Sequence, residues 1–204
     1  MSNLRKARTE STRRNLVRVG RSLFQRRGFT DVSAEEIVAA ASLTRGALYH
    51  HFNGKEGLFR AVVSDAMSEV CQRVAVAAAS AHTPLEALEL GVRSFLDACA
   101  EQEYLQVLLI DGPAVLGWHD WRALDLEHAL GLLRRGLEAA LAAREIAAPD
   151  IETTTHLLAG ALIDGAMLIG LDPGNASVRR RVEVTILRFV HCVANPQRKR
   201  RRLS

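Results

Sequence analysis

Apolar residues recur at helical spacing along almost the whole chain, and this pattern limits what the chain can fold into. An early example is Leu16, Val19, Leu23 and Phe24, whose spacing of three or four residues puts them on one face of a helix. The alternation of β-branched or aromatic residues with polar ones that marks a strand does not continue for long anywhere. The sequence therefore predicts an all-α protein with about nine helices in total.

The composition is that of a globular protein outside the membrane. Of the 204 residues, 48% are hydrophobic and 25% are charged, which favours a packed core and excludes disorder. No apolar run approaches the roughly 18 residues that a membrane span needs, and the N-terminal sequence MSNLRKARTESTRR lacks the apolar segment of a signal peptide. We expect a cytoplasmic protein without a membrane partner. The cysteines Cys71, Cys99 and Cys192 are far apart and without metal-ligand spacing, so reduced thiols are expected.

Charge is distributed unevenly along the chain. The formal charge is +7 over residues 1–60, −8 over residues 61–194 and +5 over residues 195–204. A basic N-terminal segment followed by an acidic segment is expected when only the N-terminal segment contacts a polyanion such as DNA. The alternative is that the basic first helix simply has a solvated face.

The first 53 residues predict three helices, at about 9–27, 34–41 and 44–51, with a tight connection through Ser42 and Leu43. Ser33 and Glu36 have the spacing of a capping box at the start of the second helix, and Thr44 stands where it can cap the third. This arrangement is a helix-turn-helix. The residues expected to pack it together are Ile37, Ala40, Ala41, Leu43, Leu48 and Phe52, against Leu23, Phe24 and Phe29.

The same arrangement leaves hydrogen-bonding groups on the outer side of the third helix, as a helix that enters the major groove requires. Arg45 is expected to contact a guanine edge or a phosphate, and Gly46 lets the backbone come close to DNA. Ser33 and Lys55 are expected to anchor phosphates from neighbouring helix starts. The candidate DNA-binding residues are Ser33, Thr44, Arg45, Gly46, Tyr49, His50 and Lys55.

Each of these residues also has a plainer interpretation. A tyrosine on a short helix, such as Tyr49, is often a half-buried packing residue, and His50 with His51 is often a solvated pair. Adjacent histidines point about 100° apart on a helix, so they do not readily chelate one metal. His51 is the weaker DNA candidate because it can turn back toward the first helix. We therefore expect no metal, cofactor or catalytic residue here.

The stretch IVAAASLTRGALYHHFNGKEGLF at 37–59 resembles the DNA-binding signature of the TetR family of bacterial repressors. The resemblance lies in Tyr49, His51 and Phe52, in the Lys55-Glu56 pair, and in the Leu58-Phe59 pair that follows. The preceding FQRRGFTDVSAEEI at 24–37 is similar to the family's first turn and second helix, and the likeness covers about residues 9–60. One departure is Ser42, where the family usually has glycine; a positive φ there would cost serine on the order of 1 kcal/mol.

The resemblance implies a DNA-binding domain at 1–53, a helical ligand-binding and dimerisation domain at 54–194, and a basic flexible tail at 195–204. Helical spacing in the second domain predicts helices at about 55–80, 84–100, 119–145, 150–171 and 175–194. Asp111-Gly112-Pro113 is expected to break the chain between the second and third of these.

The last two helices are expected to form a four-helix interface in a homodimer. Their apolar stripes are Leu158, Leu162 and Ile169, then Val178, Val182, Ile186, Phe189 and Val193, with Gly160, Ala161, Gly165 and Ala166 allowing close approach. The alternative is that these stripes are only the core of one chain. A two-fold dimer would bind a palindromic operator in double-stranded DNA.

A small-molecule effector, mainly hydrophobic or aromatic, is expected in the same domain. Its candidate site residues are Phe95, Tyr104, Asp111, Trp118, Trp121, His156, Asp164 and Met167. Asp164 is singled out because a carboxylate in ALIDGAML needs a partner if it is buried, and His156 lies on roughly the same side. Met and Trp at helical spacing are also ordinary core residues.

Two other classes of protein remain as alternatives. An enzyme would use His119, Asp120, Asp111 or His156 for acid–base work, but no Gly-rich phosphate loop, HExxH, CxxC or nucleophile elbow is present. A nonspecific architectural DNA-binding protein is favoured by the tail QRKRRRLS at 197–204. The sequence leaves the operator, the effector and the sign of regulation open.

Overall fold

The structure is a computed structural model that describes residues 2–148 and 150–194, with side chains at 6–148 and 150–192. Within those ranges it is all-helical, as predicted, with nine helices joined by turns. The first four are α1 (Ser2–Arg27), α2 (Ala34–Ala40), α3 (Arg45–Phe52) and α4 (Lys55–Ala78), and the fifth is α5 (Pro84–Ala100). The last two are α8 (Ile151–Gly170) and α9 (Ala176–Ala194). No helix in the described part of the chain has the length and apolar character of a membrane span.

Helices α6 and α7 each contain a π-helical stretch. Helix α6 consists of Gln102–Tyr104, a π-helical part at Leu105–Asp111, and Gly112–Leu116. Helix α7 consists of Trp118–Asp125, a π-helical part at Leu126–Leu130, and Gly131–Ala142. The predicted break at Asp111-Gly112-Pro113 is therefore wrong. Pro113 stands in the first turn of an α-helical part, where its missing N–H is tolerated.

The helix ends follow local signals in the sequence. Gly28 ends α1 with a φ of +76°, and its N–H donates to the carbonyl of Phe24 at 2.8 Å. The predicted capping box of α2 is present, and the Thr83 side chain accepts from the Glu86 N–H at the start of α5. These local hydrogen bonds satisfy groups that a helix end leaves unpaired.

The chain forms two compact units. Unit 1 contains the described residues up to Ala66 together with Gln106–Ala123, and unit 2 contains Met67–Leu105 together with the described residues from Leu124 on. The assignment of residues 1–53 to DNA binding and of residues 54–194 to ligand binding and dimerisation stays a prediction. The basic tail at 195–204 lies outside the described residues.

The core of unit 1 is built around an aromatic cluster. The ring centroids of Phe24 and Phe59 are 5.2 Å apart, and those of Phe29 and Phe59 are 4.9 Å apart. Ile37 and Leu48 are buried from α2 and α3, as predicted, whereas Ala40 is exposed. The last turn of α2 rotates Ala40 outward because Val38 and Ala41 occupy the buried face there.

The core of unit 2 lies among α5, α8, α9 and the last part of α7. Gly165 allows α8 and α9 to approach closely, since a Cβ there would lie 2.8 Å from side-chain atoms of Val182 and Ile186. The predicted interface residues Leu158, Leu162, Ile169 and Ile186 are buried within this single chain. The large exposed apolar residues of the same two helices are Leu157, Leu168, Val184 and Phe189, and Leu171, directly after α8, is exposed as well.

Candidate nucleic-acid interface

Helix α3 is anchored by one face, which leaves its other face open. Leu48 and Phe52 are buried beneath it. The Thr44 side chain accepts from the Ala47 N–H at 3.3 Å, and Asn53 ends the helix in the left-handed conformation with a φ of 58°. The predicted outward residues Thr44, Arg45, Gly46, Tyr49 and His50 are all exposed.

Arg45 lies in a small network on this open face. Its guanidinium donates to Glu35 Oε1 at 2.8 Å and to Tyr49 Oη at 3.5 Å, and it lies over the Tyr49 ring. The Tyr49 hydroxyl and the Glu35 carboxylate together raise the pKa of the guanidinium above its ordinary value. Both members of the ion pair are more than 60% exposed, at 63% and 62%, so water screens the pair and another anion can replace Glu35.

Tyr49 and the two histidines follow Arg45 along the helix. Tyr49 is 48% exposed, and its ring packs over Gly54, where an added Cβ would lie 3.6 Å from Cε1. His50 is exposed, while His51 is half-buried with its ring centroid 6.2 Å from that of Phe52. This placement agrees with the weaker ranking of His51 as a DNA contact.

Ser33 is held within the capping box of α2. Its Oγ accepts from the Glu36 N–H at 3.1 Å and donates to Glu36 Oε2 at 2.9 Å. Glu36 also accepts from the Ser33 N–H at 2.8 Å and from Arg27 at 2.7 Å. The backbone hydrogen bond from Ser33 and the contact with Arg27 lower the pKa of Glu36 to about 2. The Ser33 hydroxyl is thus already hydrogen-bonded within α2.

Lys55 holds the turn between α1 and α2. Its Nζ donates to the carbonyl oxygens of Phe29 and Val32, at 3.0 and 2.9 Å, and lies 3.9 Å from the centre of the Phe29 ring. Two of its three protons are therefore directed at the protein backbone. The predicted phosphate contact of Lys55 would use the third.

The same turn is also held by the Gln106–Ala123 segment of unit 1. Asp111 Oδ2 accepts from the Phe29 N–H at 2.8 Å, and Asp111 Oδ1 accepts from Gln106 Nε2 at 3.0 Å. An ion pair of 3.0 Å joins Arg60 of α4 to Asp120 of the same segment. Asp111, predicted as a ligand contact, is therefore bonded to groups of unit 1.

The eight candidate ligand residues are divided between the two units. Asp111, Trp118 and Trp121 belong to unit 1; Trp121 is buried and donates to the Leu108 carbonyl at 2.7 Å, whereas Trp118 is 64% exposed. The other five belong to unit 2: Tyr104 is buried, Phe95 and Met167 are half-buried, and His156 and Asp164 are exposed. Since Asp164 is exposed, the argument that it needs a buried partner does not apply.

Several contacts of the interface had no signal in the sequence. Glu35 meets Arg45 only because the turn brings α2 and α3 together, ten positions apart. Arg13 lies over the Phe52 ring at 5.4 Å, and the Asn15 side chain donates to the Ala41 carbonyl at 3.1 Å. Each is an ordinary polar residue in its own segment. Among the described residues, no group of three His, Cys, Asp or Glu side chains is placed to hold a metal ion.

Comparison with known families covers most of the chain. Residues 16–62 match the family described as bacterial regulatory proteins, tetR family, and residues 85–192 match the tetracyclin repressor-like C-terminal domain. The TetC protein of transposon Tn10 from Escherichia coli is 26% identical over 155 residues, which cover 74% of this chain and 76% of TetC.

Solved structures show the same fold. A TetR-family transcriptional regulator from Pectobacterium atrosepticum aligns with a TM-score of 0.80 and 28% identity, over 92% of this chain and 96% of that one. RolR in complex with its ligand resorcinol aligns with a TM-score of 0.73 and 21% identity, over 97% and 94% of the two chains.

Proposed function

The chain belongs to the TetR family of transcriptional regulators, and from this premise we propose that it is a homodimeric repressor of a palindromic operator. It binds DNA through its helix-turn-helix and carries a ligand-binding C-terminal domain; it is a regulator and not an enzyme. In the proposal, α3 enters the major groove and a small ligand releases the protein from DNA. A repressor of a bacterial operator works in the cytoplasm.

The observation that carries the proposal is the open face of α3. Helix α3 spans eight residues, and Leu48 and Phe52 are buried beneath it. Its other face exposes hydrogen-bond donors from the first turn to the last. A helix of this kind fits the major groove, where base edges offer acceptors for a guanidinium and an imidazole. The charge of +7 over residues 1–60 supplies attraction for phosphates.

Each proposed DNA contact is assigned from the position of its residue on α3 or beside it. Arg45 at the helix start exchanges Glu35 for a guanine edge or a phosphate, and Gly46 brings the backbone near the bases. Tyr49 and His50 donate to phosphates or bases further along. Ser33 and Lys55 act at the rim, where Lys55 has a third proton for a phosphate while it orders the turn before α2.

Dimerisation is proposed through α8 and α9. The support is a set of exposed apolar side chains on these two helices and directly after α8. Leu157 and Leu168 of α8 are 71% and 54% exposed, Leu171 after it is 77% exposed, and Val184 and Phe189 of α9 are 42% and 52% exposed. Burying them against the same residues of a second copy removes this apolar surface from water. The two-fold axis then presents two α3 helices to the half-sites of a palindrome.

The ligand is proposed to be a small hydrophobic or aromatic molecule. RolR, which shares the fold, binds resorcinol, and a ligand of this chemical class agrees with the apolar and aromatic candidates of unit 2. Those candidates are Phe95, Tyr104 and Met167, of which Tyr104 is buried. His156 and Asp164 remain proposed polar contacts.

Ligand control follows from linkage and requires no chemical step. A ligand that binds better to a state unsuited to the operator lowers DNA affinity by its difference in affinity for the two states, typically about 1–3 kcal/mol. In this proposal, Asp111 affects DNA affinity, because its carboxylate accepts from the Phe29 N–H in the turn that leads into α2.

The test is selection of binding sites from random duplex DNA with the purified protein. A repressor should recover one palindrome and prefer it by at least about a thousandfold over random duplex at physiological salt. Recovery of no preferred sequence, with similar affinity for every duplex, would favour the architectural alternative. Adding resorcinol and related aromatic compounds to the selected complex then tests the ligand class by release of DNA.

A further inference from the structure

A groove runs along one side of α1 within unit 1. It has a volume of about 470 Å³ and is bordered by α1 and by Asp65 of α4. Arg14, Arg18, Arg21 and Gln25 line it at spacings of three and four residues, so their side chains follow one face of the helix. The volume far exceeds the roughly 30 Å³ that a water molecule occupies in the liquid.

The groove is strongly basic. Among the described residues that line it, four are arginines and one is an acid. Asp65 lies 3.4 Å from Arg21, whereas Arg18 donates to the neutral Asn15 Oδ1 at 2.9 Å and Arg13 lies over the Phe52 ring. The one carboxylate is therefore opposed to several guanidiniums, which present forked donors suited to oxyanions.

We infer that this groove binds a phosphate-type oxyanion on the guanidiniums of Arg14 and Arg18. The phosphate comes either from the DNA backbone beyond the reach of α3 or from a small phosphorylated molecule. The support is the arginine-lined face of the groove, which a single carboxylate opposes. Only the DNA source rests on the proposed function, since a small phosphate binds with or without an operator.

The first experiment titrates the full-length protein, free of DNA, with sodium pyrophosphate at constant ionic strength, using calorimetry. We expect saturable binding, and about tenfold weaker binding by Arg14→Ala/Arg18→Ala because charge-assisted hydrogen bonds are lost. Arg26→Ala is the matched control, because Arg26 is exposed on the same helix and does not line the groove.

The second experiment measures the salt dependence of operator binding by the same variants. If DNA supplies the phosphate, the double variant should lower the slope of log K against log salt by about one or two units relative to Arg26→Ala. Loss of pyrophosphate binding without a change in slope assigns the groove to a small phosphorylated molecule. If neither measurement separates the double variant from Arg26→Ala, the inference is overturned. A failure to bind any operator would count against the proposed function and leave the pyrophosphate result to decide the groove.

Discussion

At the scale of single residues, contacts within the protein position Arg45 for its proposed role in DNA binding. Glu35 and Tyr49 hold its guanidinium over the exposed face of α3, which limits the rotamers available to a long side chain. The ion pair with Glu35 is exposed and therefore weak, so a phosphate or a base edge competes with it at low cost.

Replacing Arg45 with alanine should weaken operator binding by about 1–3 kcal/mol and relax base preference at one operator position, if Arg45 reads a base. The measurement is affinity for the operator and for its single-base variants. Glu35→Gln serves as the control, since it removes the competing carboxylate and leaves Arg45 in place. Uniform weakening on all sequences would assign Arg45 to a phosphate instead.

Glu36 should make the stability of unit 1 depend on pH. The hydrogen bond from the Ser33 N–H and the contact with Arg27 lower its pKa from the ordinary value of 4.5 to about 2 on folding. Its stabilising effect is therefore complete above the unfolded value and is lost as pH falls toward 2. Glu36→Gln keeps the capping hydrogen bond but has no charge to titrate. The thermal midpoints of the two proteins should therefore converge between about pH 4.5 and pH 2. A difference that stays constant over this range would contradict the assignment.

At the scale of elements, the turn of the helix-turn-helix is a Schellman motif. The Leu43 N–H donates to the Val38 carbonyl at 2.8 Å, and the Ser42 N–H donates to the Ala39 carbonyl at 3.1 Å. Ser42 has a φ of 54°, which meets the condition under which a serine at this position costs free energy. Serine is thus strained where glycine is the usual choice.

Ser42→Gly should stabilise the protein by on the order of 1 kcal/mol, because glycine adopts a positive φ without a Cβ clash. Denaturant unfolding monitored by circular dichroism measures the change. Asn53→Gly is the matched control: Asn53 also has a positive φ, of 58°, but asparagine tolerates this conformation, so its gain should be smaller. A destabilising Ser42→Gly would show that the serine side chain has a contact worth more than the strain.

Helix α6 contributes a hydrogen bond to a turn that lies far from it in the sequence. Its π-helical part ends at Asp111, whose carboxylate accepts from Phe29, 82 positions earlier. The carbonyl of Leu108 in the same part accepts from the buried Trp121 indole. π-Helical stretches often occur at functional sites.

Asp111→Ala should destabilise the protein by about 1–3 kcal/mol, since the partly buried Phe29 N–H loses its acceptor. Asp111→Asn retains an oxygen that accepts and should lose much less. Unfolding free energies measure this part of the prediction. Operator affinity should fall in the alanine variant with base preference unchanged, because α3 keeps its own side chains. Equal effects of both substitutions would mean that charge, and not the Phe29 contact, is important.

At the scale of the whole molecule, the exposed apolar side chains of α8 and α9 determine what the chain can assemble into. Leu158, Leu162, Ile169 and Ile186 are already used in the core of unit 2. The proposed dimer therefore depends on the residues that remain exposed, Val184 and Phe189 among them. The proposal requires these side chains to form one contiguous apolar patch, which is the kind of surface that marks an interaction site.

Val184→Glu should convert the dimer to a monomer and lower operator affinity, because a charge would be buried in the interface without a partner. Light scattering after gel filtration measures the mass. Val76→Glu is the matched control, since Val76 is 68% exposed on α4 and lies outside the proposed face. If Val184→Glu remains a dimer with normal operator affinity, the proposed face is wrong.

Local signals in the sequence were sufficient for the class of fold, most helix ends and the outward face of α3. Capping by Ser33 and Thr44 and the apolar spacing around Ile37 and Leu48 act between residues a few positions apart, so they can be read without a structure. The family pattern marked Ser42 as a departure from glycine, and the structure supplied its positive φ.

Only the tertiary structure decided which partners the polar residues take and which apolar faces stay exposed. Lys55 and Asp111 both bind the turn at Phe29, and no local periodicity encodes contacts 26 and 82 positions apart. The same holds for α8 and α9, whose spacing marks an apolar stripe but not which neighbour covers it. Helical periodicity specifies that a face is apolar, whereas the packing of the other helices determines whether that face becomes core or surface.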